Sequence, residues 1–266
     1  MKVVYFCKKA FILDRFISDI NLYVSDGKII YVGKDEPYPF DEKMFLGEVW
    51  PGLINLDVEA GSFKVFGNLM SNGGVFFLDR SELSFTGVPQ GVFGKLGKNL
   101  YGIDFCVEVL HEGMSKEDFF RVLSKSADSK FYVKLVDYAV RGKTLFYKLL
   151  KGGFPSERIL LCNIDEIPQR DFHLLKSKGL KLISCGRVSE FVHLRRKLKK
   201  GLPLYFGSMY SVVESARAWY SDIETILYNV ATRPSLDFSL DVGRIAWGQR
   251  AVFVEKINNE LKIIRG

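Results

Sequence analysis

Asp57 and Glu59 close the apolar run Leu53-Ile-Asn-Leu-Asp57-Val-Glu59 and place two carboxylates at the end of an expected strand. Carboxylate oxygens suit hard cations such as magnesium or manganese, whereas zinc favours imidazole and thiolate. Nitrogen and sulfur donors are sparse elsewhere. The three histidines (His111, His173, His193) are scattered, and the four cysteines (Cys7, Cys106, Cys162, Cys185) contain no CxxC pair. Reduced thiols are therefore expected, with Cys162 and Cys185 as small core residues at strand ends. His111, in Leu-His-Glu-Gly, has the chemistry of a general acid or base, against the plainer reading of a hydrogen-bonded strand-end imidazole. Lys134 stands alone in Phe-Tyr-Val-Lys-Leu-Val-Asp137, as a lysine at a sheet edge or in an ion pair would.

These side chains need a scaffold, and the patterning supplies one. Asp19–Ser25 alternates, Asp26-Gly27 offers the positive φ angles of a two-residue turn, and Lys28–Gly33 returns, which predicts a hairpin. From residue 53 apolar strands alternate with amphipathic helices. The strands are Leu53–Glu59, Val75–Leu78, Tyr101–Leu110, Phe131–Val136, Arg158–Cys162, Lys181–Ser184 and Leu202–Phe206. The helices are Lys116–Ala127, Lys143–Lys151, Pro168–Lys178 and Val188–Lys200. Alternating β and α units predict a parallel sheet with helices outside. The last residues return to β character: Gly243–Gly248, then Ala251–Val254, then a turn at Asn258-Asn259 into Leu261–Arg265.

Bulk properties narrow the class. At 266 residues and 47% hydrophobic content the chain can bury a sizeable core. No apolar run approaches the ~18 residues that span a bilayer. The charge-broken N-terminus is no signal sequence, so a soluble cytoplasmic protein is expected, with no membrane partner. The formal charge is +7, densest at Arg195-Arg196-Lys197-Leu198-Lys199-Lys200. Phe191, Leu194 and Leu198 recur there at helical spacing, so those cations read as the wet face of a helix and not as a nucleic-acid patch. Glutamine occurs only at 90, 169 and 249 beside plentiful Lys and Glu, a leaning toward a thermophilic source.

Pro51-Gly-Leu-Ile-Asn-Leu-Asp57-Val-Glu59-Ala-Gly61 resembles the PGxxDxHxHG signature of the amidohydrolase superfamily, with Asp57 and Glu59 at the histidine positions. Two more blocks resemble that superfamily. Ile223–Pro234 is similar to its helix ending in T-x-N-P-A, and Gly243-x-Ile-x-x-Gly248-x-x-Ala251 is similar to its returning GxIxxGxxAD strand, with Val252 at the Asp. Within the superfamily the chain most resembles N-acetylglucosamine-6-phosphate deacetylases. Asn72–Leu78 is similar to their GVTxF strand. Tyr101–Cys106 falls at GxHxEGP, with Asp104 at a His and Cys106 at the metal-binding Glu. Lys178–Arg187 is similar to KGxxVSxGH, with Arg187 at the ligand His, and Asn163–Glu166 keeps the Glu of APE. Gly207-Ser208 followed by Val213–Arg217 resembles GST…EAVRN.

The resemblance implies an α/β fold: a shortened TIM-like (β/α) barrel of about seven strands, since a full barrel takes ~250 residues. A small β-sandwich formed from both termini (1–50 and 241–266) would accompany the barrel domain (51–240). It also implies a vestigial pocket of Asp57, Glu59, Asp104, Cys106, Glu166, Arg187 and Ser208, without the ligand His and catalytic Asp of later strands. Arg187 would bring a fixed positive charge where a dication belongs and is placed to neutralise Asp57 or Glu59. Lys134 resembles the lysine that some amidohydrolases carboxylate to bridge two metals. The resulting expectation is a metal-free, non-catalytic relative that binds a sugar, a sugar phosphate or a partner. The alternative is a metal-dependent hydrolase of C–N bonds with a rebuilt carboxylate site and bound Zn, Fe or Mn. Deleted barrel elements would bare strand edges that a second copy could cover as a homodimer.

Overall fold

A computed structural model describes residues 1–58, 73–79, 93–94, 106–110, 114–135, 143–162, 179–184, 204–208 and 211–266. In chain order the first strands are β1 (Lys2–Ile12), β2 (Arg15–Ser25), β3 (Lys28–Gly33), β4 (Glu42–Pro51), β5 (Leu53–Val58), β6 (Gly74–Asp79) and β7 (Phe93–Gly94). There follow β8 (Cys106–Leu110), α1 (Lys116–Ser124), β9 (Phe131–Leu135), α2 (Lys143–Lys151), β10 (Ile159–Cys162), β11 (Lys181–Ser184) and β12 (Leu204–Phe206). The chain ends with α3 (Val212–Arg217), α4 (Ile223–Leu227), a π-helical turn (Tyr228–Thr232), α5 (Arg233–Asp237), β13 (Val252–Ile257) and β14 (Glu260–Arg265). It divides into two compact units, one of residues 1–55, 60–77 and 209–266, the other of 56–59 and 78–208. No helix among the described residues is long and apolar enough to cross a membrane.

The first unit holds a six-stranded sheet of order β14-β13-β4-β1-β2-β3. The expected hairpin forms its end: Ser25 pairs with Lys28, and Asp26 and Gly27 take φ of 52° and 73° between them. Alternation sorts β2, with Ile20, Leu22 and Val24 entering a core that includes Val3, Tyr5, Cys7, Leu46 and Phe253. Both outer strands then meet one segment of the chain. Ile29 N donates to Gln249 O and Ala251 N to Gly27 O, both at 2.8 Å, while Gly266 N donates to Ala251 O at 2.9 Å. These bonds cover backbone groups that an open edge would present to solvent.

Two expectations are corrected in this unit. Gly243–Gly248 is a loop and not a strand. Gly243 and Gly248 adopt φ of 85° and 79°, and the Arg250 guanidinium grips Asp241 at 2.7 Å across the loop's ends. Nor does the Ile223 helix stop at Thr232-Arg233-Pro234. It continues to Asp237 through the π-helical turn, where Arg233 N reaches back to Tyr228 O. Such a turn already interrupts the regular ladder, so a proline lacking its N–H is accommodated there.

The second unit carries a parallel sheet of five strands in sequence order, β8 to β12. Buried on both faces, such strands need no alternation, and Ile159-Leu-Leu-Cys162 is buried throughout. Helix α1 starts where Ser115 accepts from Asp118 N at 3.0 Å, and α2 matches its expected bounds. A third sheet has the order β5-β6-β7. Among the described residues no strand pairing joins these two sheets into one ring. The expected helices 168–178 and 188–200, with the basic run 195–200, lie outside the described residues.

Candidate functional site

The second unit concentrates its chemistry near the C-terminal ends of its strands. Lys134 is the penultimate residue of β9 and is wholly buried. It does not sit at a sheet edge, because β9 lies between β8 and β10. Its Nζ donates to the Leu56 carbonyl oxygen at 2.9 Å, one residue before Asp57 in β5. A buried lysine head needs such acceptors, since leaving it without them carries a desolvation cost of several kcal/mol, by order of magnitude.

Further along the sheet, Cys162 ends β10 as a buried thiol with no disulfide. The fully buried Ser184 ends β11, and its carbonyl accepts from Gly207 N at 2.9 Å. Ser208 follows directly, half-buried, two residues beyond the end of β12. Lys134, Cys162, Ser184 and Ser208 therefore all lie in the last residues of their strands or just beyond them.

The other sequence candidates are placed less fully. Asp57 lies in β5 and Cys106 in β8, described through their backbones. The register pairs Cys106 with Phe131, the first residue of β9, and Leu110 with Leu135, its last. Cys106 thus enters its strand at the end opposite Lys134, whereas His111 follows Leu110 in sequence. Glu59, Asp104, Glu166 and Arg187 lie outside the described residues, as do His111 and Cys185, so an Arg187–carboxylate pair is not among the described contacts.

The described donors do not fit a divalent metal. At the strand ends they comprise a lysine amine, a thiol and two hydroxyls, and the lysine donates to a backbone carbonyl. Among the described residues no group of three His, Cys, Asp or Glu side chains could hold an ion.

Elsewhere the chemistry is quiet. In the first unit, burial pushes the Cys7 thiol up to about 12, with the Glu255 carboxylate adding to the effect, so the thiolate is absent at neutral pH. A hollow of about 720 Å³ there is lined by Trp50, Glu214, Arg217, Lys256 and Glu260, among others. Its charges are largely matched: Arg217 meets Glu214 at 2.8 Å and Lys256 meets Glu48 at 3.8 Å. Trp50 is only 3% exposed and offers no stacking face.

With this arrangement in view, solved structures provide the comparison. A Xaa-Pro dipeptidase with methionine bound in its active site superposes with TM-score 0.70 at 12% identity, covering all of this chain and 98% of its own. A beta-aspartyl dipeptidase from the thermophilic Fervidobacterium islandicum AW-1 gives 0.67 at 14%, covering all of this chain and 95% of its own. An enamidase, a member of the amidohydrolase superfamily, gives 0.65 at 14% over 96% of this chain and 86% of its own.

The chain shares its fold with amidohydrolases.

At these identities the likeness concerns the fold alone. No protein-family model and no curated protein matches the sequence. The amidohydrolase-type fold agrees with the expectation drawn from Pro51–Gly61.

Proposed function

We propose that this amidohydrolase-fold protein is a relative of N-acetylglucosamine-6-phosphate deacetylases that holds no catalytic metal and acts by binding, with a sugar or sugar phosphate, or a protein partner, as its target. The observation that carries the reading is Lys134. A lysine amine at the end of β9, directed at the Leu56 carbonyl of β5, brings hydrogen-bond donors where a metal site needs acceptors. The sequence adds to this, since Asp57, Glu59, Cys106 and Arg187 stand at positions where the resemblance expects metal ligands. The net charge of +7 suits a phosphorylated ligand.

The residues then have modest roles. Lys134 ties β9 to β5 through the Leu56 carbonyl. Ser208 and Arg187 would donate to hydroxyl or phosphate oxygens, and Asp57 and Glu59 would accept from sugar hydroxyls. No step of hydrolysis is derived, because the relatives' chemistry needs a metal to activate water and an Asp to move the proton.

Calorimetric titration with glucosamine 6-phosphate and N-acetylglucosamine 6-phosphate, with product analysis on the same samples, tests the reading. Binding without release of acetate is expected. Turnover that depends on added zinc, iron or manganese would instead establish the rebuilt hydrolase, with Asp57 and Glu59 as the first ligands to suspect.

A further inference from the structure

The outer helices α1 and α2 of the second unit meet closely at one end and part at the other. A Cβ on Gly152, just after α2, would lie 2.8 and 2.9 Å from the Leu123 methyl groups near the end of α1, so a glycine permits the close approach there. Toward their N-terminal ends the helices leave a groove of about 400 Å³. Met114, Phe119, Phe120 and Leu145 form its apolar walls, and Lys116 and Lys148 line it as well. Phe120 is 66% exposed, and its ring packs edge-on to Phe119 with centroids 6.4 Å apart. No carboxylate is among the described residues that line the groove, and Asp118 nearby on α1 is engaged by Ser115 at 2.8 Å and Arg121 at 3.3 Å.

We propose that this groove docks an acidic amphipathic segment of another protein, its apolar side chains on Met114, Phe119 and Phe120 and its carboxylates on Lys116 and Lys148. The charge of the described lining decides the sign of the partner, because both of its charged residues are lysines. The net charge of +7 would steer an acidic partner toward the chain. Openness decides the class. Pockets for small molecules enclose roughly 70–90% of their ligand, which a wall as exposed as Phe120 does not do, whereas a helix laid in a groove needs one covered face. A symmetric pair of copies joined here would set lysines against lysines, so a second copy is the poorer occupant. The inference gives the partner-binding part of the proposed function a surface and rests on that part alone. Metal content of the same sample reports on the pocket, and peptide binding reports on the groove.

Fluorescence anisotropy on the full chain tests it with a labelled synthetic helical peptide carrying Leu and Phe at i, i+3, i+4 and i+7, and Glu at the flanking positions. A matched peptide with Lys in place of Glu is the control. The acidic peptide is expected to bind and the basic one not. Phe120→Ser, an exposed position where folding should persist, and the double change Lys116→Glu with Lys148→Glu should each weaken binding by roughly tenfold or more. The double variant should gain the basic peptide. The proposal is overturned if the acidic peptide fails to bind, if both peptides bind alike, if the variants leave binding unchanged, or if sedimentation shows the chain pairing with itself through Phe120.

Discussion

The amine of Lys134 lies 2.9 Å from the carbonyl oxygen of Leu56, a contact between residues 78 apart in sequence. It fixes the end of β9 against β5 by a side-chain donor on a backbone acceptor. Replacing Lys134 by Met keeps the stem and removes the donor, leaving the Leu56 carbonyl short of one partner. Denaturant unfolding should show a loss of about 1–3 kcal/mol. An unchanged midpoint would mean that the bond contributes nothing.

Tyr23 makes the opposite case. Its ring is fully buried against Tyr31, Tyr38 and Phe40 at centroid distances of 5.7, 5.9 and 6.3 Å, yet its hydroxyl finds no partner. Burial, with Glu36 adding to it, raises the phenol above its ordinary value, so it stays neutral. Tyr23→Phe should therefore be neutral or stabilising by up to about 1 kcal/mol in thermal or denaturant unfolding. A marked loss would point to an ordered water on that hydroxyl.

Asp222 caps α4 through a 2.7 Å bond from Thr225 N, and hydrogen bonds from Thr225 hold its carboxyl below the ordinary 3.8. A lowered carboxyl favours the folded state above that ordinary value and loses its contribution as pH falls through the lowered one. Asp222→Ala should cost about 1 kcal/mol at neutral pH. The difference from the parent should vanish in acid, a convergence that unfolding curves taken from pH 7 downward would reveal or refute.

Gly243 combines a φ of 85° with crowding: an added Cβ would stand 2.4 Å from Ile54 Cδ1 and 2.9 Å from Ala231 O. Gly243→Ala should destabilise by about 1–3 kcal/mol or more, from strain and overpacking together. Gly153→Ala, with φ of 83° and nothing near its Cβ position, isolates the strain alone and should cost less.

Local signals in the sequence were strong enough to place much of this. Asp26-Gly27 set its hairpin because two positive φ angles in succession leave few alternatives. The run Lys143–Lys151 set its helix by apolar spacing. Gly243–Gly248 misled because its apolar residues suggest a strand, while the loop is held by Asp241–Arg250 and by two left-handed glycines whose need shows only in three dimensions. Lys134 was visible as a lone lysine in an apolar strand, but its partner is a backbone carbonyl far away in sequence, and carbonyls leave no residue signature. The register sets Cys106 opposite Phe131, at the other end of β9 from Lys134, a pairing that motif spacing alone does not reveal.

Elemental emission analysis of untagged protein, dialysed after exposure to zinc, iron and manganese in turn, tests the proposed metal-free pocket most directly. The account predicts well under one metal ion per chain under every condition. One tightly held ion per chain, lost together with amide-hydrolysing activity on chelation, would contradict it.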